Sequence, residues 1–419
     1  MVTIYPFKAL RPKPENAEAV AAPPYDVVSR NEARDIADGN PHCFLRVGRA
    51  ELDLAESVDP YSDEVYRHGA RQLQQFIDQG VMSRESQPVL GVYRQKMGTH
   101  IQTGLVALSS VQEYDEGVIK KHEFTRPEKE EDRVRLILTH DSQSGPVFLT
   151  YRSSERLDAW IDGVTAEAPE VDFVAEDGVG HTVWVVRDSK TIEEAVRAFG
   201  DIPELYIADG HHRSAAASRV SKLLTSRGDE GAGRQPHHGF LSVIFPDNQL
   251  QIFPYNRVVR DLHGHTADKF LSIAAEKFIV QAVDDPGNPP SAGFECYLSG
   301  GWYRMFPREG LVPKDDPVGS LAVSVLSDNI LDPVLGITDQ RRDKRIEFVG
   351  GIRGLSALTE RVDSGEWAVA FYLYPTTVSE LLAVADAGLV MPPKSTWFEP
   401  KLRDGLFVHL LEQNERIDR

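Results

Sequence analysis

Asp209-Gly210-His211-His212-Arg213 gathers an acid, two imidazoles and a guanidinium around one glycine, between the apolar run Leu205-Tyr206-Ile207-Ala208 and a helical pattern carried by Ala215, Ala216, Val220 and Leu223. A strand that turns through Asp-Gly into a helix presents the N–H groups of the first helical turn at the turn, where the helix dipole favours an anion. Phosphate suits that geometry. Gly210 permits close backbone approach or positive φ, His211 and His212 offer imidazole donors, and Arg213 offers a bidentate fork for phosphate or carboxylate. Asp209 is a candidate to hold Mg²⁺ or a substrate amine. The plainer alternative makes Asp209 a helix cap and Arg213 half of a structural ion pair. Clustering of titratable groups at a helix entrance favours function. A zinc site is not expected, because neighbouring helical positions diverge by about 100°.

Three further groups bear chemistry. Lys120-Lys121-His122-Glu123 precedes an expected helix, and Glu123 is a candidate general base; on spacing alone it is equally a solvated acid among Glu128, Glu130, Glu131 and Asp132. Pro392 to Lys401 is a proline-rigid loop holding Lys394, Ser395, Thr396, Trp397 and Phe398, readable as a lid or as an aromatic anchor for the last strand. Asn256 and Arg257, in Tyr255-Asn256-Arg257-Val258, end an expected hairpin arm.

The elements that must position these residues read as α/β. Val65, Ala70, Leu73, Phe76 and Ile77 recur near the helical period and stop at Gly80, and residues 89–93 and 104–111 make a hairpin around Met97-Gly98-Thr99. Thr125-Arg126-Pro127-Glu128 predicts a capping box, with Val134, Ile137 and Leu138 as the apolar face behind it. Strands are expected at 146–151 and 182–186, helices at 193–199 and 266–275, and a second hairpin is expected around Pro246-Asp247-Asn248. The expected organisation is three segments: 1–112 with the hairpin, 113–261 with the chemistry, and 262–419 as a C-terminal α/β domain.

A chain of 419 residues is too long for one ordinary core. Its formal net charge of −18 disfavours nucleic acid as a partner. The opening Met1-Val2-Thr3-Ile4-Tyr5-Pro6-Phe7 is unlike a signal peptide, and no apolar run reaches the roughly 20 residues of a membrane span. A cytoplasmic location and no membrane partner are expected. Cys43 and Cys296 are expected to be buried apolar residues.

Ala22-Pro23-Pro24-Tyr25-Asp26, the Asp209-to-Arg213 loop, Tyr255-to-Val258 and Pro392-to-Lys401 together resemble a bacterial and archaeal family known as domain of unknown function one thousand and fifteen. Its middle segment resembles the ParB/sulfiredoxin superfamily, which implies a small central α/β domain with flanking α/β segments, binding nucleotide phosphates at a helix entrance. Partitioning proteins carry Gly-Glu-Arg-Arg at that loop, and this chain does not. Free serine kinases are similar at Asp-Gly-His-His-Arg and at an upstream His-Glu, matched by His122-Glu123, and this favours Glu123 as a base. The resemblance implies phosphoryl transfer from ATP or ADP, with Mg²⁺, to the hydroxyl of free L-serine. Asp209 would organise Mg²⁺ or the serine ammonium, and Gly210, His211, His212 and Arg213 would hold the phosphate. His122, Asn256, Arg257, Lys394 and Trp397 would contact substrate. The alternatives are a nucleotide-binding switch, a phosphate-ester hydrolase and a DNA-binding accessory protein. A homo-oligomer is left open.

Overall fold

The computed structural model describes residues 1–227, 234–298 and 300–412. The chain is mixed α/β and divides into two compact units, one made of Met1–Leu250 with the segment from Pro400 onward, the other of Gln251–Glu399. The boundary expected at residue 112 falls inside the helix Val111–Glu116, and strands on both sides of it share one sheet. Turn signals mark where elements end and which neighbours form a hairpin; they do not say which strands distant in sequence share a sheet. The boundary expected near 261 lies at Leu250, and the last stretch of chain rejoins the first unit.

The first unit is built on a nine-stranded sheet. Across it run Ile119–Lys120, Leu205–Asp209, Val147–Tyr151, Gly239–Pro246, His100–Ser110, Leu90–Met97, Gly180–Val186 and Val171–Val174, with Ile4–Tyr5 also paired to His100–Ser110. The hairpin at 90–110 is as expected: Met97 pairs with His100, and Gly98 takes φ of 60°. The second expected hairpin does not form. Gly239–Pro246 lies antiparallel to His100–Ser110 and parallel to Val147–Tyr151, whereas Gln251–Phe253 pairs with Trp397–Glu399. The turn residues between them form a short 3₁₀ segment whose side chains tie the chain sideways: Asp247 Oδ1 accepts from Ser153 N–H at 2.9 Å, and Gln249 Oε1 from Thr103 N–H at 2.8 Å.

Two helices frame the chemistry. Pro127–His140 opens on its proline, but the capping box is absent, because Arg126 is the N-cap and Thr125 lies one residue too early; Thr125 Oγ1 donates instead to Glu130 Oε2 at 2.8 Å. The helix His211–Ser226 buries Ser214, Ala215, Ala216, Ala217 and Ser218, side chains small enough to let a helix approach its neighbours closely. Ala216, Val220 and Leu224 meet Val134 and Ile137 of the first helix, and Leu411 of the returning segment closes the cluster.

The second unit is a six-stranded antiparallel sheet in the order Phe278–Val283, Gly301–Pro307, Phe294–Leu298, Val369–Leu373, Tyr255–Val259, Ile346–Gly350. Its helix Ala267–Lys277 is capped by Thr266, which accepts from Lys269 N–H. Cys43 and Cys296 are buried and unpaired with each other. Among the described residues no helix is long and apolar enough to cross a membrane.

Candidate active site

Leu205–Asp209 pairs in parallel with Ile119–Lys120 and antiparallel with Val147–Tyr151, with a register shift between Ile207 and Asp209. A bulge re-aims the side chains that follow it. The chain then turns at Gly210, at φ 98° and ψ 28°, where any L side chain is strained and where a Cβ would stand 3.4 Å from the Val147 Cα. The positive φ explains why glycine opens the helix here, since the contact with Val147 is an ordinary one.

Asp209 uses both carboxylate oxygens. Oδ1 accepts from Gly210 N–H at 2.8 Å, and Oδ2 faces Lys401 Nζ at 3.1 Å. Burial alone would raise this carboxyl, but Lys401, followed by Arg213, outweighs it and holds the group well below the usual carboxylate range. This donor set does not fit a protein-held Mg²⁺: an ammonium stands where the ion would bind, and no group of three or more His, Cys, Asp or Glu among the described residues is placed to hold a metal.

The two segments singled out in the sequence converge here. His122 N–H donates to His211 Nε2 at 3.5 Å, and the two rings meet edge to face at 4.5 Å between centroids, although the residues are 89 positions apart. An accepting Nε2 leaves the proton on Nδ1, which lies 4.0 Å from Glu123 Oε2. Burial, reinforced by His212 and Lys121 and opposed by Asp209, lowers His211 to about 4, so it is neutral near pH 7. His122 is buried and held well below its ordinary value, chiefly by desolvation. His212 Nε2 accepts from Arg126 N–H at 3.0 Å, fastening the loop before Pro127 to the helix entrance. The Glu123 side chain is 35% exposed, open enough to meet a ligand.

Arg213 lies deeper than the sequence suggests. Its side chain is only 10% exposed, donates to the Pro146 carbonyl and stands 3.7 Å from Asp26 Oδ1. Around it Tyr25, Arg133, Gly145 and Asp404 line a cavity of about 30 Å³, room for a water molecule or two. Arg133 sits 3.7 Å over the Tyr25 ring, and burial pushes that phenol up to about 12. Burial also pushes the Asp404 carboxyl up to about 7, against the opposing pull of Arg213. Asp404 Oδ1 has no hydrogen-bond partner.

The remaining expected site residues occupy the second unit and are brought together there. Arg257 is fully buried and donates to the carbonyls of Tyr255, Pro393 and Lys394, the last two at 3.1 and 3.0 Å. Asn256 Oδ1 accepts from Leu373 N–H, Lys394 Nζ lies 5.3 Å from the Tyr255 ring, and Trp397 packs edge-on against that ring at 5.0 Å. Trp397 and Phe398 are themselves part of the strand Trp397–Glu399, which pairs with Gln251–Phe253. Lys401, Asp404, Tyr25 and Asp26 were not singled out as site residues. Tyr25 and Asp26 belong to the Pro-Pro-Tyr-Asp run and Lys401 ends the Pro392-to-Lys401 loop, while Asp404 lies in no motif.

A family model described as "Protein of unknown function (DUF1015)" matches residues 4–324. No curated protein matches the sequence. Solved structures similar to it include SbnI with C-terminal truncation from Staphylococcus aureus, at 13% identity and TM-score 0.39, covering 75% of this chain and 91% of that one. A conserved hypothetical protein from Pyrococcus furiosus is 16% identical with TM-score 0.34, covering 73% and 95%. A free serine kinase in complex with AMP is 14% identical with TM-score 0.33, covering 72% and 91%. At such TM-scores the likeness says nothing about activity.

Proposed function

The chain belongs to the DUF1015 family, and from the site it carries we propose that it is a phosphotransferase moving a phosphoryl group from ATP or ADP to the hydroxyl of free L-serine. The observation that carries this reading is the meeting of His122-Glu123 with the Asp209-to-Arg213 loop, His211 Nδ1 lying 4.0 Å from Glu123 Oε2. These are the two segments in which the sequence resembles free serine kinases.

In the proposed step, the bond between the terminal phosphorus and its bridging oxygen breaks and a bond from that phosphorus to the serine Oγ forms. The hydroxyl proton passes to Glu123, and the shortened nucleotide leaves with the electron pair. Such transfers pass through a loose transition state with charge spread over three equatorial oxygens, so positioning and neutralisation supply most of the catalysis. The first turn of the His211–Ser226 helix and the Asp209–Gly210 turn receive the phosphate. His211, neutral and oriented by the His122 N–H, directs its Nδ1–H toward Glu123. Arg213 supports the loop from beneath through Pro146 and Asp26. Any Mg²⁺ comes with the nucleotide phosphates, as is usual for such donors.

The test is incubation of the full chain with Mg²⁺, either nucleotide and a pool of free amino acids, followed by mass analysis. O-phosphoserine is expected. Nucleotide binding without a phosphorylated amino acid would favour the switch instead, and phosphate release from O-phosphoserine without nucleotide would favour a hydrolase.

A further inference from the structure

The returning segment after Pro400 brings one side chain into the loop that neither motif contains. We propose that Lys401 is a catalytic residue of this site, its ammonium held by Asp209 at the helix entrance until nucleotide binds, when it contacts the terminal phosphoryl group and stays on it through the transfer, and that Gln95 is the positioning residue that holds Lys401 there. The proposal rests on the phosphotransferase reading above.

Much of the first unit is devoted to residues 401–404, a stretch outside any helix or named strand. The Lys401 carbonyl accepts from Gln95 Nε2 at 2.8 Å, and Gln95 Oε1 in turn accepts from Gln102 Nε2 at 3.0 Å. Both glutamines are fully buried in the sheet hairpin. Buried amides are costly unless each group is matched, and an apolar pair would fill the same sheet face without that cost. The glutamines do what an apolar pair cannot: they meet the Lys401 main chain. Two residues on, Arg403 Nε donates to His181 Nε2 at 3.2 Å, His181 Nδ1 lies 2.7 Å from the Tyr93 hydroxyl, and Arg403 also pairs with Asp177. Asp404 exchanges both backbone hydrogen bonds with Ala22, at 2.9 and 3.1 Å. Three separate parts of the unit thus fix the backbone that carries Lys401.

Three other cations near the loop have partners of their own. Lys120 pairs with Glu204, Lys121 lies 3.7 Å from the Tyr114 ring, and Arg213 serves Pro146 and Asp26. His211 is neutral, as shown above. Lys401, with a side chain 15% exposed and its Nζ 3.1 Å from Asp209, is the cation whose present partner belongs to the phosphate-receiving turn itself. As the terminal P–O bond breaks, the P–Oγ bond forms and Glu123 takes the proton, charge grows on the bridging oxygen that leaves with the nucleotide. An ammonium exchanging Asp209 for that oxygen and the phosphoryl oxygens beside it offsets that charge.

The test compares wild type, Lys401→Met, Lys401→Arg and the double variant Gln95→Leu/Gln102→Leu, measuring O-phosphoserine formation by mass and ADP and AMP binding by calorimetry. Lys401→Met is expected to lower turnover about 100- to 1000-fold, as loss of one preorganised donor does, and to abolish any preference for ADP over AMP. Lys401→Arg should recover part of that preference. The glutamine pair should lower turnover on the order of tenfold to a hundredfold by misplacement, with the melting temperature kept. Asp209→Asn/Lys401→Met, which removes the acid together with its cation, controls for misfolding in the binding assay. Wild-type turnover or an unchanged ADP preference in Lys401→Met overturns the proposal, as does failure of either nucleotide to bind wild type. If wild type binds ADP but makes no phosphoserine, the serine kinase reading fails alone, and loss of the ADP preference in Lys401→Met still supports Lys401 as the phosphate contact.

Discussion

Replacing Asp404 with asparagine gives a prediction whose size follows from the structure. Burial pushes the Asp404 carboxyl from 3.8 up to about 7, with Arg213 opposing and Asp26 adding to the rise. Below about pH 4 the folded and unfolded chains both carry this proton. Between there and about pH 7 the folded protein keeps a proton that the unfolded chain has released, so stability falls as pH rises, by up to about 1.4 kcal/mol per pH unit. Above pH 7 both forms are ionised and the loss levels off at about 4 kcal/mol, an upper bound because buried sites relax and admit water. Asparagine matches the shape of the side chain and does not titrate. The stability of Asp404→Asn relative to wild type should therefore climb by up to about 3 kcal/mol between pH 5 and pH 7 and stay flat from pH 7.5 to 8.5. Urea unfolding of both proteins at each pH measures this directly, and taking the difference cancels the titration of every other group. Parallel stability curves for the two proteins would refute the claim that Asp404 is buried without a hydrogen-bond partner for Oδ1.

Three other outcomes follow from the same geometry. Burial lowers His140, His211 and His409 to about 4 each, so their contribution is present above pH 6.5 and lost as pH falls toward 4; thermal melts should show the midpoint dropping across that window. Gly210→Ala forces a Cβ into a backbone at φ 98° and against Val147, and should cost about 1–2 kcal/mol by denaturant unfolding while moving the loop enough to weaken nucleotide binding in calorimetry. Glu123→Gln should lower turnover about 10²- to 10⁴-fold, the range for loss of a general base, with stability unchanged because its side chain is 35% exposed.

What could be read from the sequence was what lies close together along it. The run from Leu205 to Leu224 announces strand, tight turn and helix within twenty-odd residues, and the hairpin at 90–110 is marked by its own turn at Gly98. Spacing alone left Glu123 equally a base and a solvated acid, and only the resemblance at His122-Glu123 favoured the base. Three things were hidden. Which strands pair is decided by side-chain packing across the sheet, so the turn at Asp247 looked like a hairpin when its side chains tie to Ser153 and Thr103. The capping box at Thr125 was misplaced by one residue once Pro127 took the first helical position. The partnership of Asp209 with Lys401 spans 192 positions and is made by a segment that leaves for the second unit and comes back, which no local pattern encodes. Arg213 and Arg257 illustrate the same limit: type and motif mark an arginine as able to bind an anion, and only burial reveals that one serves Pro146 and Asp26 and the other the carbonyls of Pro393 and Lys394.

The central claim is that Glu123 and the Asp209–Gly210 turn together move a phosphoryl group onto serine. Phosphorus NMR of the full chain with ATP or ADP, Mg²⁺ and L-serine tests it most directly, run beside Glu123→Gln. A phosphomonoester resonance should grow with serine concentration in the wild type and be nearly absent in the variant. Nucleotide consumed at the same rate with and without serine, or equal phosphoserine from both proteins, would contradict it.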